Sequence, residues 1–294
     1  MARKNNKTPP ITFSLIISII AISFAAIFVK SSAAPATILS MYRMYMACLF
    51  LLPVVWMKRD EFRKISQKQW CLLGFSGLFL GIHFALWFKS LELTTVASST
   101  IILALQPIVA LAGVFLVFKE KTRLSTILII GISFVGVVLV AWGDFSLSKS
   151  AIIGDFLSFL CVIAVVTYLL IGQRTVKTIS HWIYSFSVFL FAGISLMIFN
   201  LFAGIPMMDY PAEEWGIFLL LAIFPTIAHL IYNWLLNYVD STTISMSILG
   251  EPVGATALAA ILLGERVTVW QIIGGLFVLF GVFLFLLQQR KALI

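Results

Sequence analysis

Two stretches of the chain decide its fold: residues 70–90 read WCLLGFSGLFLGIHFALWFKS, and residues 215–235 read WGIFLLLAIFPTIAHLIYNWL. The two stretches align at an offset of 145 residues. The alignment at this offset has no gap and pairs residues 70–142 with residues 215–287. Within these ranges Gln106-Pro107 falls on Glu251-Pro252. The chain therefore consists of two copies of one unit, which we place at residues 1–150 and 151–294.

The composition is that of a membrane protein. The 294 residues are 61% hydrophobic and only 11% charged, with a mean hydropathy of +1.08, whereas soluble domains are about half apolar. A helix needs roughly 20 apolar residues to cross a hydrocarbon core about 30 Å thick. Runs of this length also argue against a β-barrel, whose strands cross in about ten residues. The predicted spans are 12–29, 36–57, 70–89, 96–118, 124–142, 153–173, 182–203, 214–237, 243–263 and 268–288.

The net charge of +8 is an orientation signal rather than a sign of nucleic-acid binding. When the N-terminus is placed inside, only Lys30, Lys89, Lys149 and Arg266 of the 20 Lys and Arg residues fall on the outer side, and Arg43 lies within a span. Cytoplasmic loops of membrane proteins carry an excess of Lys and Arg. We therefore predict a plasma-membrane protein with both termini in the cytoplasm, and no nucleic-acid partner.

The second copy is predicted to be inverted in the membrane. Each copy has five spans, an odd number, so the second copy enters from the opposite side. The charges agree, because the basic loop at 119–123 lies inside, whereas its counterpart, Gly264-Glu265-Arg266, lies outside and has lost the excess charge. The predicted fold is an all-α integral membrane protein with ten transmembrane helices in two inverted five-helix repeats. Solute carriers are commonly built this way, with the site where the copies meet.

Several short motifs carry a resemblance to a known family. They are Met41-Tyr42-Arg43, the stretch from Ala85 to Thr95 (ALWFKSLELTT), Leu105-Gln106-Pro107, Leu249-Gly250-Glu251-Pro252 and Leu262-Leu263-Gly264-Glu265-Arg266. With the internal repeat, these motifs make the chain resemble an EamA-type member of the drug/metabolite transporter superfamily. The resemblance covers nearly the whole chain, although the first copy has Gln-Pro where the second has the more typical Glu-Pro.

The resemblance implies a secondary carrier, often an exporter of amino acids or other small metabolites, that works by alternating access. It implies two five-span EamA units and a central cavity lined mainly by spans 1, 3, 4, 6, 8 and 9. The substrates of the family differ widely, so the identity of the cargo does not follow from it.

Two prolines mark the predicted site. Pro107 and Pro252 lie at equivalent positions in spans 4 and 9, and Gly250 and Gly254 flank the second. Proline removes a backbone donor and bends or breaks a helix. Paired interruptions in the two halves of a carrier point to its binding site. The alternative is a pair of packing kinks that never meet solute.

Glu251 is the strongest single candidate for a functional side chain. It lies near the middle of span 9, where a charged group costs at least about 2.5–3.5 kcal/mol and should face a cavity or a partner. It could bind a substrate ammonium or exchange a proton during transport. Gln106 is its neutral counterpart in the first copy. The alternative is a structural carboxyl that is protonated or paired with an arginine.

Arg43 is a candidate receptor for a substrate carboxylate, since it is the basic residue within a predicted span. A guanidinium is permanently charged and binds carboxylates through two parallel hydrogen bonds. It could instead pair with an internal acid, snorkel to the interface or bond to backbone carbonyls.

Spans 3 and 8 are predicted to present a polar and aromatic stripe. His83 and Trp87 are four residues apart on one face of span 3, and His229 and Asn233 repeat that spacing in span 8, beside Tyr232. Such a stripe suits a zwitterion or an amine through hydrogen bonds and ring–cation contacts. The alternatives are interhelical hydrogen bonds for the histidines and an outer interfacial position for Trp87.

Other residues are predicted to be structural. Small residues that permit close helix packing are Gly77, Gly81, Gly274, Gly275 and Gly281. Solvated positions are predicted for Glu92, Asp144, Asp155, Asp209, Glu213 and Glu214, and an exposed loop pair for Glu265 and Arg266. Asp240 is a possible gate contact.

Transport is favoured over the other classes of function. No nucleophile elbow, zinc-protease motif or phosphate loop supports an enzyme or an ATP-driven pump, and no cofactor is expected. The three cysteines show no disulfide or metal spacing. The expected partners are a small-molecule solute and membrane lipid, with a second copy of the chain as a further candidate. A channel, a scaffold without transport, and proton-coupled import of an amine or quaternary ammonium compound remain as alternatives.

Overall fold

The computed structural model describes residues 11–118, 124–145, 148–239, 241, 244, 248 and 250–292. Within these ranges every regular element is helical, which confirms the predicted all-α class for this part of the chain. The basic loop at 119–123 and Asp240, both used in the sequence predictions, lie outside the described residues.

Eleven α-helices are described. Helices α1, α2, α3, α7, α8 and α9 are long and apolar enough to cross a membrane. Of the other four predicted spans, 96–118 corresponds to α4 and α5 together, and the remaining three overlap α6, α10 and α11. That these four segments cross the membrane stays a prediction. The helices are α1 (Ile11–Lys30), α2 (Ala36–Met57), α3 (Gln67–Leu93), α4 (Val96–Leu103), α5 (Gln106–Phe118), α6 (Leu124–Phe145), α7 (Lys149–Thr175), α8 (His181–Phe202), α9 (Ala212–Leu235), α10 (Gly250–Leu262) and α11 (Val269–Ala292).

Hydroxyl side chains fix where several helices begin. Ser66 precedes α3 and accepts from the backbone N–H of Gln69, whose side chain accepts in return from the Ser66 N–H. The side chain of Thr95 caps α4 by accepting from the N–H of Ser98, and that of Ser148 caps α7 by accepting from the N–H of Ala151. Such caps satisfy backbone donors that have no partner inside the helix. Polar residues just before apolar runs thus set the helix boundaries.

The internal repeat extends further in the structure than in the sequence alignment. Helices α2 and α8 have the same length and are displaced by 145 residues at both ends. Helices α3 and α9 begin at the same displacement, as do α6 and α11. The second copy therefore reproduces the helix starts of the first.

Counterpart helices pack against each other in antiparallel pairs. Asn200 near the end of α8 contacts Met41 near the start of α2, and Cys48 further along α2 contacts the carbonyl of Phe186 near the start of α8. Between the two copies, α1 packs on α9 and α7 packs on α3. The copies are thus interlocked about a pseudo-twofold axis that passes between α2 and α8.

Glycines allow the second antiparallel pair, α6 and α11, to approach closely. A Cβ added at Gly136 would lie 2.6 Å from the carbonyl oxygen of Gly274, and one at Gly281 would clash with Ser133. Glycines of α3 pack similarly on α8, because a Cβ at Gly77 would lie 2.8 Å from the carbonyl oxygen of Val188. The predicted packing role is confirmed for Gly77, Gly81, Gly275 and Gly281, each of which faces another helix.

We expect Gly136→Ala to destabilise the protein in detergent by about 1–3 kcal/mol, because the new methyl group overpacks the α6–α11 contact. Gly131→Ala on the same helix is the matched control, since a Cβ there meets nothing within 4 Å. The control should be neutral or slightly stabilising, because alanine is the better helix former. Thermal unfolding followed by tryptophan fluorescence measures both. Equal effects of the two variants would contradict the packing assigned to Gly136.

Candidate functional site

The helix breaks that carry Pro107 and Pro252 lie at the centre of the site. Helix α4 ends at Leu103 and α5 begins at Gln106, so Pro107 is the second residue of a new helix rather than a kink within a continuous one. In the second copy α10 begins at Gly250, and Pro252 is its third residue. Proline fits the first turn because its missing N–H would have no partner there.

A small enclosed cavity lies beside these two helix starts. Its volume is about 20 Å³, which is enough for a water molecule but not for a metabolite. The cavity is enclosed by α1, α3, α4, α5, α7, α9 and α10. The lining residues are Ile22, His83, Phe84, Trp87, Leu103, Gln106, Val165, His229, Ile248 and Glu251.

Several polar groups around the cavity have no hydrogen-bond partner in the part of the chain that the structure describes. Among the described residues, no hydrogen bond reaches Oε1 of Glu251, Oε1 of Gln106, Nε1 of Trp87 or either ring nitrogen of His229. All four side chains are at most 5% exposed. A buried polar group without a partner costs about 1–3 kcal/mol. Several such groups around one cavity indicate a site that water or a polar solute fills.

Arg43 lies behind one wall of the cavity. Its side chain is 0% exposed, and Cζ stands 3.8 Å from the centre of the Phe84 ring. Its three guanidinium nitrogens have no hydrogen-bond partner among the described residues. Arg43 interacts electrostatically with Glu251, although no ion pair within 4 Å joins them among the residues described. The alternative expectation of snorkelling is therefore wrong, and bonding to backbone carbonyls is not seen among the described residues.

Trp87 and His83 form an aromatic stack inside the bundle. Trp87 is 1% exposed, and its ring stacks on His83 at 6.1 Å between centroids. The alternative prediction of an interfacial Trp87 is therefore wrong. His83 hydrogen-bonds through Nδ1 to the carbonyl oxygen of Cys161 on α7, at 3.1 Å. That bond, when Nδ1 carries the proton, orients the ring and leaves Nε2 as an acceptor.

Not every residue of the predicted stripe reaches the cavity. Asn233 is occupied elsewhere, because Tyr168 donates to its Oδ1 and its Nδ2 donates to Ser185 at 2.9 Å. Tyr232 lies beside His229, with ring centroids 6.1 Å apart, but does not line the cavity. Gly254 packs on α1, where a Cβ would clash with Ser23. Asn233 is therefore held by hydrogen bonds away from the cavity, and Gly254 allows α10 to approach α1 closely.

Sequence reasoning missed the apolar part of the lining. Phe84 separates Arg43 from the cavity and also contacts the ring of His229, at 5.3 Å between centroids. Ile22, Leu103 and Val165 complete the wall. Because the chain is mostly apolar, its sequence hardly distinguishes lining residues from lipid-facing ones. The one available signal for Phe84 was its position next to His83 on α3.

Charged side chains cluster at one end of the bundle, which we call the Lys30 end and define by residues 30–36, 89–96, 148–155, 204–214 and 264–271. Lys30 donates to the carbonyl of Thr94 at 2.8 Å and pairs with Glu265 at 3.4 Å. Glu265 also accepts from the N–H of Val96 at 2.9 Å. The prediction that Glu265 forms an exposed loop pair with Arg266 is wrong. Its contacts instead join the two copies.

Two other acids at this end are buried rather than solvated. Glu214 is 7% exposed and accepts from Ser32 and from the N–H of Ala33. Asp155 is 5% exposed and accepts from Thr94 at 3.1 Å. The prediction of solvation is wrong for both, because each acid meets a segment distant in sequence.

Neutral side chains make the corresponding contacts at the other end, the Lys58 end, defined by residues 57–69, 174–182 and 236–241. Gln69 donates to Thr178 at 3.1 Å. At the offset of 145 residues, Gln69 is the counterpart of Glu214 and Thr178 is the counterpart of Ala33. The same contact of the repeat therefore involves a carboxylate at the Lys30 end and a neutral amide at the Lys58 end. The described residues thus join the two copies at both ends of the bundle.

Comparison with known proteins agrees with this architecture. The pattern of the EamA-like transporter family matches residues 10–142 and again 152–287. An uncharacterized transporter of Bacillus subtilis, YyaM, is 26% identical over 231 residues, covering 76% of this chain and 74% of the relative. An uncharacterized transporter of Archaeoglobus fulgidus is 26% identical over 261 residues, covering 86% of this chain and 88% of the relative.

A solved structure, titled only "Crystal structure of protein", has the same fold. It superposes with a TM-score of 0.69 at 18% identity, covering 96% of this chain and 98% of the other. Together with the apolar helices, the two family matches identify a multi-pass membrane protein of the transporter class. The chain belongs to the EamA-like transporter family.

Proposed function

We propose that this protein is a secondary carrier that exports small metabolites such as amino acids by alternating access. In this proposal ten helices cross the plasma membrane as two inverted repeats, and both termini are cytoplasmic. Flux is driven by a solute or proton gradient. The antiparallel packing of α2 on α8 and of α6 on α11 supports an inverted arrangement.

One observation carries the proposal: the buried Arg43 guanidinium packs on the ring of Phe84, and the buried carboxyl group of Glu251 lines the cavity that this ring also lines. Among the described residues, no hydrogen bond reaches the guanidinium or Oε1 of Glu251. A buried charge that is left uncompensated, as when one partner of a buried ion pair is removed, costs about 3–5 kcal/mol. Binding of a solute that supplies the missing opposite charges would therefore be favourable. A zwitterionic solute would satisfy both groups, its carboxylate on Arg43 and its ammonium on Glu251. The Phe84 ring must move aside for this, so binding and conformational change are coupled.

The size of the cavity fits a closed intermediate of such a cycle. At about 20 Å³ the space is too small for an amino acid, so solute enters only when one end opens and the helices around the cavity separate. Alternating access by movement of one repeat against the other is the usual mode of carriers with inverted repeats.

The direct test is counterflow in proteoliposomes that contain the purified full-length protein. Vesicles loaded with an unlabelled amino acid should accumulate the labelled one transiently, and a pool covering all twenty makes the first screen. Vesicles without protein set the background. The absence of counterflow for every amino acid would contradict the proposal.

A second candidate is proton-coupled import of an amine or quaternary ammonium compound. One observation favours it: Glu251, Trp87 and His83 line the cavity, whereas Arg43 does not. A cation held by a carboxylate and aromatic faces needs no guanidinium. Counterflow of amines but not of amino acids would select this candidate.

We expect Glu265→Gln to favour opening at the Lys30 end, because it removes the ion pair with Lys30 that joins the two copies. The pair is partly exposed, so it contributes at most about 1 kcal/mol, a roughly fivefold shift in the populations. A cysteine in place of Ile22 in the cavity wall reports opening through its rate of reaction with a membrane-impermeant thiol reagent. A Cys71→Ser background removes the exposed native thiol.

The matched control is Glu213→Gln, which removes an exposed carboxylate at the same end. Lys30→Gln, which removes the same ion pair from the first copy and still has an amide donor for the carbonyl of Thr94, should speed labelling to a similar extent. Labelling that is equally fast in Glu265→Gln and in the control would show that the pair does not hold this end closed.

A further inference from the structure

A second, larger cavity lies outside the bundle core, on the far side of α3 from the central site. This α3 groove has a volume of about 550 Å³ and runs between α3, the start of α2 and the end of α8. Ile82 and Leu86 line the groove, whereas their neighbours His83 and Trp87 line the central cavity. One helix thus separates the two spaces, and the groove is not part of the solute site.

The groove opens sideways, toward the hydrocarbon of the membrane. Leu78, Ile82 and Phe199 on its walls are 40%, 38% and 54% exposed. From Leu78 to Lys89 it follows α3 for eleven residues, or about 16 Å at 1.5 Å per residue. That length is about half of a 30 Å hydrocarbon core. The groove therefore matches one acyl chain of a single leaflet.

A pair of opposite charges stands at the mouth of the groove. Lys89 and Glu92 lie one turn apart on α3, with Nζ and Oε2 2.5 Å from each other. Their side chains are 53% and 34% exposed, so both reach the headgroup region at the Lys30 end. Lys89 can donate to a phosphate, and Glu92 can accept from a primary ammonium. This order of charges complements a phosphoethanolamine headgroup.

The pseudo-twofold axis supplies an internal comparison. A second groove of about 330 Å³ lies at the Lys58 end, and each of its five lining residues is the counterpart of a residue of the α3 groove. Thr37, Ala85 and Lys89 are replaced there by Trp182, Leu230 and Trp234. The larger side chains account for the smaller volume. Asn237 replaces Glu92, so the charge pair is also missing.

We propose that the α3 groove is a binding site for one phosphatidylethanolamine molecule, with an acyl chain along α3 and the headgroup on Lys89 and Glu92. The second groove lacks both the width and the charges, so it does not select this lipid. The site is independent of the solute that the carrier moves.

Native mass spectrometry of the full-length protein, delipidated in detergent and titrated with defined lipids, tests the proposal. Phosphatidylethanolamine should bind as a single tight adduct, in preference to phosphatidylglycerol of the same acyl composition. Ala85→Leu, which introduces the residue found at the equivalent position of the second groove, should weaken the binding of this lipid about tenfold, because the larger side chain fills part of the α3 groove. Ala112→Leu, at an exposed alanine on α5, is the matched control.

The headgroup contact has its own variants. Lys89→Gln changes an exposed side chain, and Glu92→Gln keeps an oxygen that can accept from the N–H of Ala36. Each should weaken phosphatidylethanolamine binding about fivefold. Lys149→Gln, an exposed lysine at the same end, should leave it unchanged. Equal binding of the two lipids to the wild-type protein, or unchanged phosphatidylethanolamine binding in Ala85→Leu, would overturn the proposal.

Discussion

Glu251→Gln is expected to lower substrate flux by about 100-fold and to remove its dependence on pH, while the protein still inserts and folds. The amide keeps the shape of the carboxyl group but can neither carry a charge nor exchange a proton. A 100-fold loss corresponds to about 2.7 kcal/mol, which lies within the cost of removing one partner of a buried charge contact. Initial rates of counterflow in proteoliposomes at several pH values measure both effects.

Glu213→Gln is the control for this experiment, because it removes a carboxylate that is exposed and distant in sequence from the cavity wall. Its flux should equal that of the wild type. A Glu251→Gln protein that transports at the normal rate with a normal pH profile would refute any role of Glu251 in coupling.

Arg43→Gln is expected to change stability and binding in opposite directions. No hydrogen bond compensates the buried guanidinium among the described residues, so its removal relieves a desolvation cost, and Glu251 can take up a proton once the opposite charge is gone. The ligand-free variant should therefore unfold at a higher temperature than the wild type. At the same time amino acids should no longer stabilise it. In the wild type a ligand at 100 times its Kd adds about 2.7 kcal/mol, and this increment should vanish in the variant.

Thermal unfolding with and without ligand measures both effects of Arg43→Gln, and Arg63→Gln at an exposed position is the control. Loss of amino-acid stabilisation with amines unaffected assigns Arg43 to the substrate carboxylate. A variant that is less stable than the wild type and still stabilised by amino acids would show that Arg43 has a structural role instead.

The helical architecture was largely predictable from the sequence, because apolar runs and a constant repeat offset are strong signals. Glycine spacing predicted close contacts such as that of Gly281 on Ser133. The division of 96–118 into α4 and α5 was less clear. Pro107 indicated an irregularity, but whether a proline bends a helix or starts a new one depends on the residues packed around it.

The grouping of some candidate residues could be predicted because polar side chains stand out from an apolar background, whereas their role in binding stays a prediction. Glu251, Gln106, His83, Trp87 and His229 meet at one cavity as expected from their positions. Sequence cannot show which side of a helix faces the protein when all sides are apolar. For this reason the alternative placement of Trp87 at the interface failed, and Phe84 was overlooked.

Long-range polar contacts were the other failure of the sequence predictions. Glu214 and Asp155 lie near predicted loops, and near loops solvation is the ordinary expectation for an acid. Their partners, Ser32 and Thr94, are brought to them only by the interlocking of the two copies. A pattern read along one chain contains no signal for such pairs.

The unequal contacts at the two ends of the bundle bear on the energetics of a transport cycle. A carrier with identical halves would have two orientations of equal free energy, related by the twofold axis, and neither would be favoured in the absence of a gradient. Here Glu214 meets Ser32 and Ala33 at one end, whereas Gln69 meets Thr178 at the other. Unequal contacts remove that degeneracy. In the proposed cycle the resting protein would therefore favour one orientation. The rate constants for the two opposite changes of orientation would then differ, while net flux without a gradient stays zero.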